Sequence, residues 1–314
     1  MTVNIAKSKV LIGCLCAFGC QCIFGLSAMF TKQATGQVTP LSLLGWRFAV
    51  AFLGLNLCVL LRIIKVDFKG KRLAPVLAIA LLNPVIYFIG ETVGIQKTTA
   101  SECGALLSCI PIASLAASTI FLKKRPNRWQ IMGIAVASVG VLLTVFAAGL
   151  EASFSLPGYA MLLLAVLAAA VQGVLVEKAE GFTGTEITYV MMGMGCLAFT
   201  GTALLNALAK NTLPELIALP ATTGGFLTAI IYLGFISSIL AFIFSTKSIQ
   251  LIGMNRVATF AGVNTVVSIL AGVLFLKESF STAQMAGVAL ILAGVYVANL
   301  HQDQPEEPEP SMGT

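Results

Sequence analysis

Three ionisable side chains stand inside apolar stretches that would otherwise suit a membrane. Arg47 follows Pro40 by seven residues in TPLSLLGWRFAVAFL, Glu91 lies within YFIGETVGIQ, and Glu102 within TTASECGALL. A charge inside a lipid-embedded helix bundle costs at least about 2.5–3.5 kcal/mol on insertion scales, so keeping one requires a reason. An arginine can face an anionic group, and a carboxylate can face an amine or bind a proton. Asn264 could offer a midplane hydrogen bond, and Tyr87, Gln21, Ser27 and Gln172 are further polar candidates. Each has a structural alternative. Arg47 could snorkel to headgroups or lock helices through a carboxylate, Glu102 could sit at an interfacial helix start favoured by the helix dipole, and a single amide or hydroxyl is commonly an interhelical tie worth about 0.6 kcal/mol.

The elements that would position these residues follow from composition. Of 314 residues, 58% are apolar and 10% charged, with a mean hydropathy of +0.95, whereas soluble domains carry about 25% charge. The chain therefore belongs in lipid, and its net charge of +6 does not mark a nucleic-acid binder, because no polar segment is long enough to present a basic surface. Eight cysteines sit within apolar runs and form no disulfide framework. Cys14, Cys16, Cys20 and Cys22 raise a metal-transport reading, but only Cys16 and Cys20 share a helical face, so packing is the better account and no metal or other cofactor is expected.

A bilayer core about 30 Å thick needs about 20 apolar residues per helix. Runs between polar punctuation predict an all-α integral membrane protein with ten spans near 9–31, 40–62, 73–94, 99–121, 129–149, 156–177, 186–209, 222–246, 255–276 and 283–300. The first run is too long for a cleaved signal peptide and is expected to remain as a span. Residues 1–8 precede it, and the Pro-rich acidic tail 301–314 is expected to be disordered. Pro84 and Pro111 fall inside the third and fourth spans, where each frees a carbonyl that only neighbours or a cavity can satisfy.

Orientation follows from basic residues in short loops. With the amino terminus inside, fourteen Lys and Arg fall on the inner side: Lys7 and Lys9, five from Arg62 to Arg72, four from Lys123 to Arg128, then Lys178, Lys247 and Arg256. Only Lys32, Lys97, Lys210 and Lys277 fall outside. Both termini are therefore expected in the cytoplasm. IFLKKRPNRWQIMGIAVASVGVL (120–142) recurs as LFLKESFSTAQMAGVALILAGVY (274–296), 154 residues later, with Gly133 and Gly140 falling on Gly287 and Gly294 and the basic centre lost. Five spans per copy is an odd number, so the second copy is inverted: 9–149 and 156–300 are two five-helix repeats. Such duplication is typical of secondary transporters, whose ligand site lies near the midplane between repeats. The repeated glycines would let helices approach closely, as scaffold.

At these residues the chain resembles the EamA-type members of the drug/metabolite transporter superfamily. The likeness rests on CIFGLSAMFTK in the first span, Pro40 with Arg47 in the second, Pro111 in the fourth, and NRVATFAGVNTVVSILAGVLFLKE (255–278), with Thr265 at a common proline position. YFIGETVGIQKTTASECG is similar to a subgroup with a glutamate at both places, while Lys124 departs from a glutamate common in the first-repeat loop. The resemblance implies ten helices, with spans four, five, nine and ten as scaffold, and a cargo among amino acids, nucleobases, drugs and other metabolites. The expected protein is a multi-pass cell-membrane transporter that exports a small polar metabolite by alternating access, with Arg47, Glu91, Glu102, Asn264 and Tyr87 lining the substrate path. Proton coupling and homo-oligomers are compatible with this reading. A membrane-embedded lipid enzyme is the rival, weakened by the lack of a nucleophile-base set or a catalytic loop: the one histidine, His301, is in the tail. A non-transporting receptor or assembly partner is the other rival.

Overall fold

The structure is a computed structural model that describes residues 2–97, 107, 109–123, 126–147, 155–276 and 282–299. All regular secondary structure in the described residues is helical. In chain order the helices are α1 (Thr2–Thr35), α2 (Pro40–Leu60), α3 (74–97), α4 (Ile110–Leu122), α5 (Arg128–Ala147), α6 (Leu156–Lys178), α7 (Gly184–Ala209), α8 (Leu213–Thr222), α9 (Phe226–Ile252), α10 (Met254–Ala258), α11 (Ala261–Leu276) and α12 (Thr282–Asn299).

Six helical stretches are long and apolar enough to cross a membrane: Ser8–Thr35, Pro40–Leu60, Ala74–Gly94, Leu156–Lys178, Gly184–Ala209 and Phe226–Ile252. The helices α4, α5, α11 and α12 lie in the stretches expected for the other four spans. Several boundaries differ from expectation, and Lys32 and Lys97 lie on the last turns of α1 and α3 rather than in loops. Helix α9 runs on to Ile252, so Lys247 sits on its last turns rather than in a loop, and the helix stops where Gly253 takes a φ of 79°. The stretch expected as 255–276 is broken at Thr259 and Phe260 into α10 and α11. The short amphipathic helix α8 was not foreseen as a separate element; Trp46 Nε1 on α2 donates to the Leu216 carbonyl oxygen on it at 2.9 Å.

Helix α2 runs between α7 and α9, α3 packs on α6 and α7, and α1 lies along α9 and α11. The main core gathers Phe48, Leu55, Val76, Ile79, Ile187, Met191 and Met192, from α2, α3 and α7. The start of α7 is tied to the 62–72 loop. Both oxygens of Glu186 accept from Lys71 Nζ, at 2.8 and 2.7 Å, while Oε1 accepts from the Asp67 N–H and Oε2 from the Thr183 N–H. The Glu186 N–H donates in turn to Thr183 Oγ1, which closes the capping box that starts the helix.

Helices α5 and α12 form a separate pair, and the repeated glycines lie in its seam. A Cβ on Gly140 would stand 2.7 Å from the Gly287 carbonyl oxygen, and one on Gly294 would strike the Ala137 amide and the Gly133 carbonyl. Backbone cannot yield as a flexible side chain can. Gly294→Val is therefore expected to cost about 3 kcal/mol or more, seen as a lower melting temperature in detergent. Gly201→Ala, whose Cβ meets nothing within 4 Å, is expected to stay within about 0.5 kcal/mol.

Candidate functional site

Helix α3 is kinked within Leu81–Ile86, and α7 and α9 each contain a stretch of wide, π-type turns, at Cys196–Thr200 and Tyr232–Leu240. Turns of this kind re-aim side chains and recur at functional sites. The kink has a local cause: Asn83 leaves helical geometry at φ −141°, ψ 116°, immediately before Pro84. The wide-turn stretches of α7 and α9 pack on one segment of α2, and the kink of α3 packs on α7 beside it. Phe48 packs against Gly195 and stacks on Phe199 at 5.2 Å, Pro84 closes on Gly195 beside it, and Gly234 meets Val50 and the Arg47 carbonyl oxygen.

Arg47 projects into this convergence and is only 5% exposed. Its Nε donates to Ser238 Oγ at 2.8 Å and its Nη2 to Ser237 Oγ at 3.0 Å, both on the wide-turn stretch of α9. The guanidinium lies over the Phe88 ring, 4.8 Å from the centroid, with Phe48 at 5.9 Å. Phe88 meets Tyr87 and Phe48 edge to face at 5.2 and 5.5 Å. Tyr87 Oη donates to Glu91 Oε1 at 3.0 Å, one turn along α3, the spacing that places both on one helical face. Arg47 and Glu91 act on each other electrostatically. Even so, among the described residues no carboxylate oxygen lies within 4.0 Å of the guanidinium. The cation is solvated by two neutral hydroxyls and an aromatic face.

Of the residues expected in the path, Arg47, Tyr87 and Glu91 thus meet across α2 and α3. Asn264 is placed elsewhere, on α11, where α1 comes so close that a Cβ on Gly25 would stand 2.7 Å from the Asn264 carbonyl oxygen. It shares no hydrogen bond with the Arg47 group among the described residues. Glu102 lies outside the described residues. Ser237, Ser238 and Phe88 were missed. The one available signal was the adjacent serine pair in GFISSILAF, since two hydroxyls side by side in an apolar span ask for a partner.

The EamA-like transporter family model matches residues 11–146 and again residues 156–300. The chain belongs to the EamA-like transporter family. It is a multi-pass membrane transporter, and the EamA likeness extends to whole relatives. The chain is 32% identical over 279 residues to "Uncharacterized transporter YcxC" of Bacillus subtilis (strain 168), covering 88% of this chain and 89% of that one. It is 24% identical over 188 residues to a Salmonella typhimurium protein named "Probable amino-acid metabolite efflux pump", covering 59% of this chain and 62% of that one. A solved crystal structure superposes with a TM-score of 0.76 at 19% identity, over 96% of this chain and 98% of the other. That likeness shows a shared fold.

In this EamA-like transporter the serine hydroxyls carry a stability prediction. Removing either leaves a buried guanidinium donor without its partner, at a cost of about 1–3 kcal/mol for each hydroxyl lost. Ser237→Ala and Ser238→Ala are expected to lower the melting temperature in detergent, and an unchanged value in both would show that water replaces the hydroxyls there.

Proposed function

We propose that the protein is a secondary transporter built as two inverted five-helix repeats, which exports an amino acid or a related small polar metabolite by alternating access. One observation carries the cargo class: a buried guanidinium bonded to neutral groups, with a carboxylate on the facing helix. Arg47 then receives the anionic end of the cargo. Glu91, oriented by Tyr87, faces its amine or holds a proton in its place. A ligand carboxylate can take both parallel N–H bonds of a guanidinium, geometry a single hydroxyl does not offer. The name of the Salmonella relative agrees with this class, and the double match of the family model agrees with two repeats.

The inverted arrangement supplies the mechanism. Two related bundles pack around one site near the midplane, and exchanging their conformations moves the opening from one side to the other. The kink in α3 and the wide turns on α7 and α9 are the joints at which the walls around Arg47 can flex. The pair α5 and α12, locked backbone to backbone at its glycines, is the frame against which they move. The cytoplasmic placement of both termini completes this reading.

Purified protein in liposomes tests it. Exchange of a radiolabelled amino acid against a panel of unlabelled ones is expected to fall at least tenfold in Arg47→Gln, with the protein still monodisperse. Glu91→Gln is expected to retain binding and to lose the dependence of flux on an imposed pH gradient. Flux, exchange and pH dependence unchanged in both variants would remove this site from the mechanism.

A further inference from the structure

A concavity lies on the outside of the bundle, lined by none of the Arg47 group. It is a groove of about 240 Å³ between the later part of α2, the start of α3 and the middle of α7, lined by Phe52, Phe68, Leu77, Tyr189, Gly193 and Leu197 among others. Its walls are almost wholly apolar. The groove opens toward lipid, since Leu197 and Leu77 on its rim are 74% and 42% exposed. Gly193 forms part of the floor against the Phe52 ring, and the one polar tip among these six residues, Tyr189 Oη, is satisfied by Asn56 Oδ1 at 2.9 Å.

One end of the groove is basic. Phe68 belongs to the loop that joins α2 to α3, and Arg62, Lys65, Lys69 and Arg72 on that loop are all exposed. Lys71 is already held by Glu186. The loop's one acid, Asp67, accepts from the Lys69 backbone N–H at 3.0 Å. Four exposed cations thus lie on the loop whose Phe68 lines the groove, between two helices that enter the membrane. Basic clusters next to membrane helices attract anionic headgroups.

We propose that the groove and the 62–72 loop form a binding site for an anionic phospholipid. One acyl chain lies along Phe52, Gly193 and Leu197, and the phosphate rests on Lys65, Lys69 and Arg72. The charge of the loop matches the headgroup, and the apolar walls match a chain rather than a peptide, whose backbone polar groups would have no partners there. A soluble phosphate would use the loop and leave the groove aside. The site does not rest on the cargo reading, because its argument uses neither Arg47 nor Tyr87 nor Glu91.

Native mass spectrometry of delipidated protein tests the assignment, with phosphatidylglycerol and phosphatidylcholine of identical chains and glycerol phosphate as probes. Phosphatidylglycerol is expected to bind at least tenfold more tightly than phosphatidylcholine, and glycerol phosphate not to be retained. At about fivefold per basic side chain, the triple variant Lys65→Gln, Lys69→Gln, Arg72→Gln is expected to lose about a hundredfold in phosphatidylglycerol affinity while its phosphatidylcholine binding stays as it was. Leu77→Trp, which places bulk at the exposed rim, is expected to weaken phosphatidylglycerol with the loop intact. Equal affinity for the two lipids, an unaltered triple variant, an unaltered Leu77→Trp, or glycerol phosphate bound as tightly as the lipid would each overturn the proposal.

Discussion

The structure depends on how one buried guanidinium is kept charged in an apolar bundle. Removing Arg47 from water is unfavourable unless its donors find partners and its charge finds compensation. The fold answers with two hydroxyls from a neighbouring helix and the face of Phe88, at 2.8, 3.0 and 4.8 Å. Both hydroxyls come from adjacent residues of α9, within its wide-turn stretch Tyr232–Leu240. A second wide-turn stretch, Cys196–Thr200, lies on α7 where it packs against α2, and α3 is kinked at Asn83–Pro84 beside α7. The arrangement solvates the cation without neutralising it. A site already neutralised by a fixed carboxylate would have less to gain from an anionic ligand.

The rest of the bundle divides into parts that hold and parts that can give. Helices α5 and α12 meet at glycines whose missing side chains are replaced by opposing backbone, a contact with no soft element. The start of α7 is fixed to the 62–72 loop by a carboxylate with four hydrogen bonds, a strong tie because the acceptor is charged. Around Arg47 the contacts are an aromatic face and two side-chain hydroxyls, not opposed backbone. Rigid frame and adaptable wall therefore come from different contact chemistries in one apolar chain.

Much of this was legible in the residues. Arg47 and Glu91 stand out because ions are rare in apolar runs, and the repeated glycines because the phrase around them occurs twice, 154 residues apart. The Asn83–Pro84 break also has a local cause that a reader of the chain can see. The wide turns of α7 and α9 do not: Cys196–Thr200 and Tyr232–Leu240 contain no proline and follow an apolar pattern a regular helix would equally satisfy. Their geometry comes from what they pack against, so the serine pair that binds Arg47 could be suspected but not assigned. The capping box of Thr183 and Glu186 was visible as spacing, but its link to Lys71 joins residues 115 apart and needed the fold. The interruption at Thr259 and Phe260 was hidden for the reason that α9 was, since apolar composition measures membrane affinity and not helix continuity.

The central claim is that Arg47 is held charged and hydroxyl-solvated in order to receive an anionic group of the cargo. Thermal stabilisation of the purified protein by matched pairs of ligands, each an amino acid and the amine left when its carboxylate is removed, tests that claim most directly. A ligand at 100 times its Kd stabilises by about 2.7 kcal/mol, well within reach of a melting curve. The account predicts that at least one amino acid raises the melting temperature, that its decarboxylated amine does not, and that Arg47→Gln abolishes the shift. Equal stabilisation by acid and amine, or a shift that survives in Arg47→Gln, would contradict it.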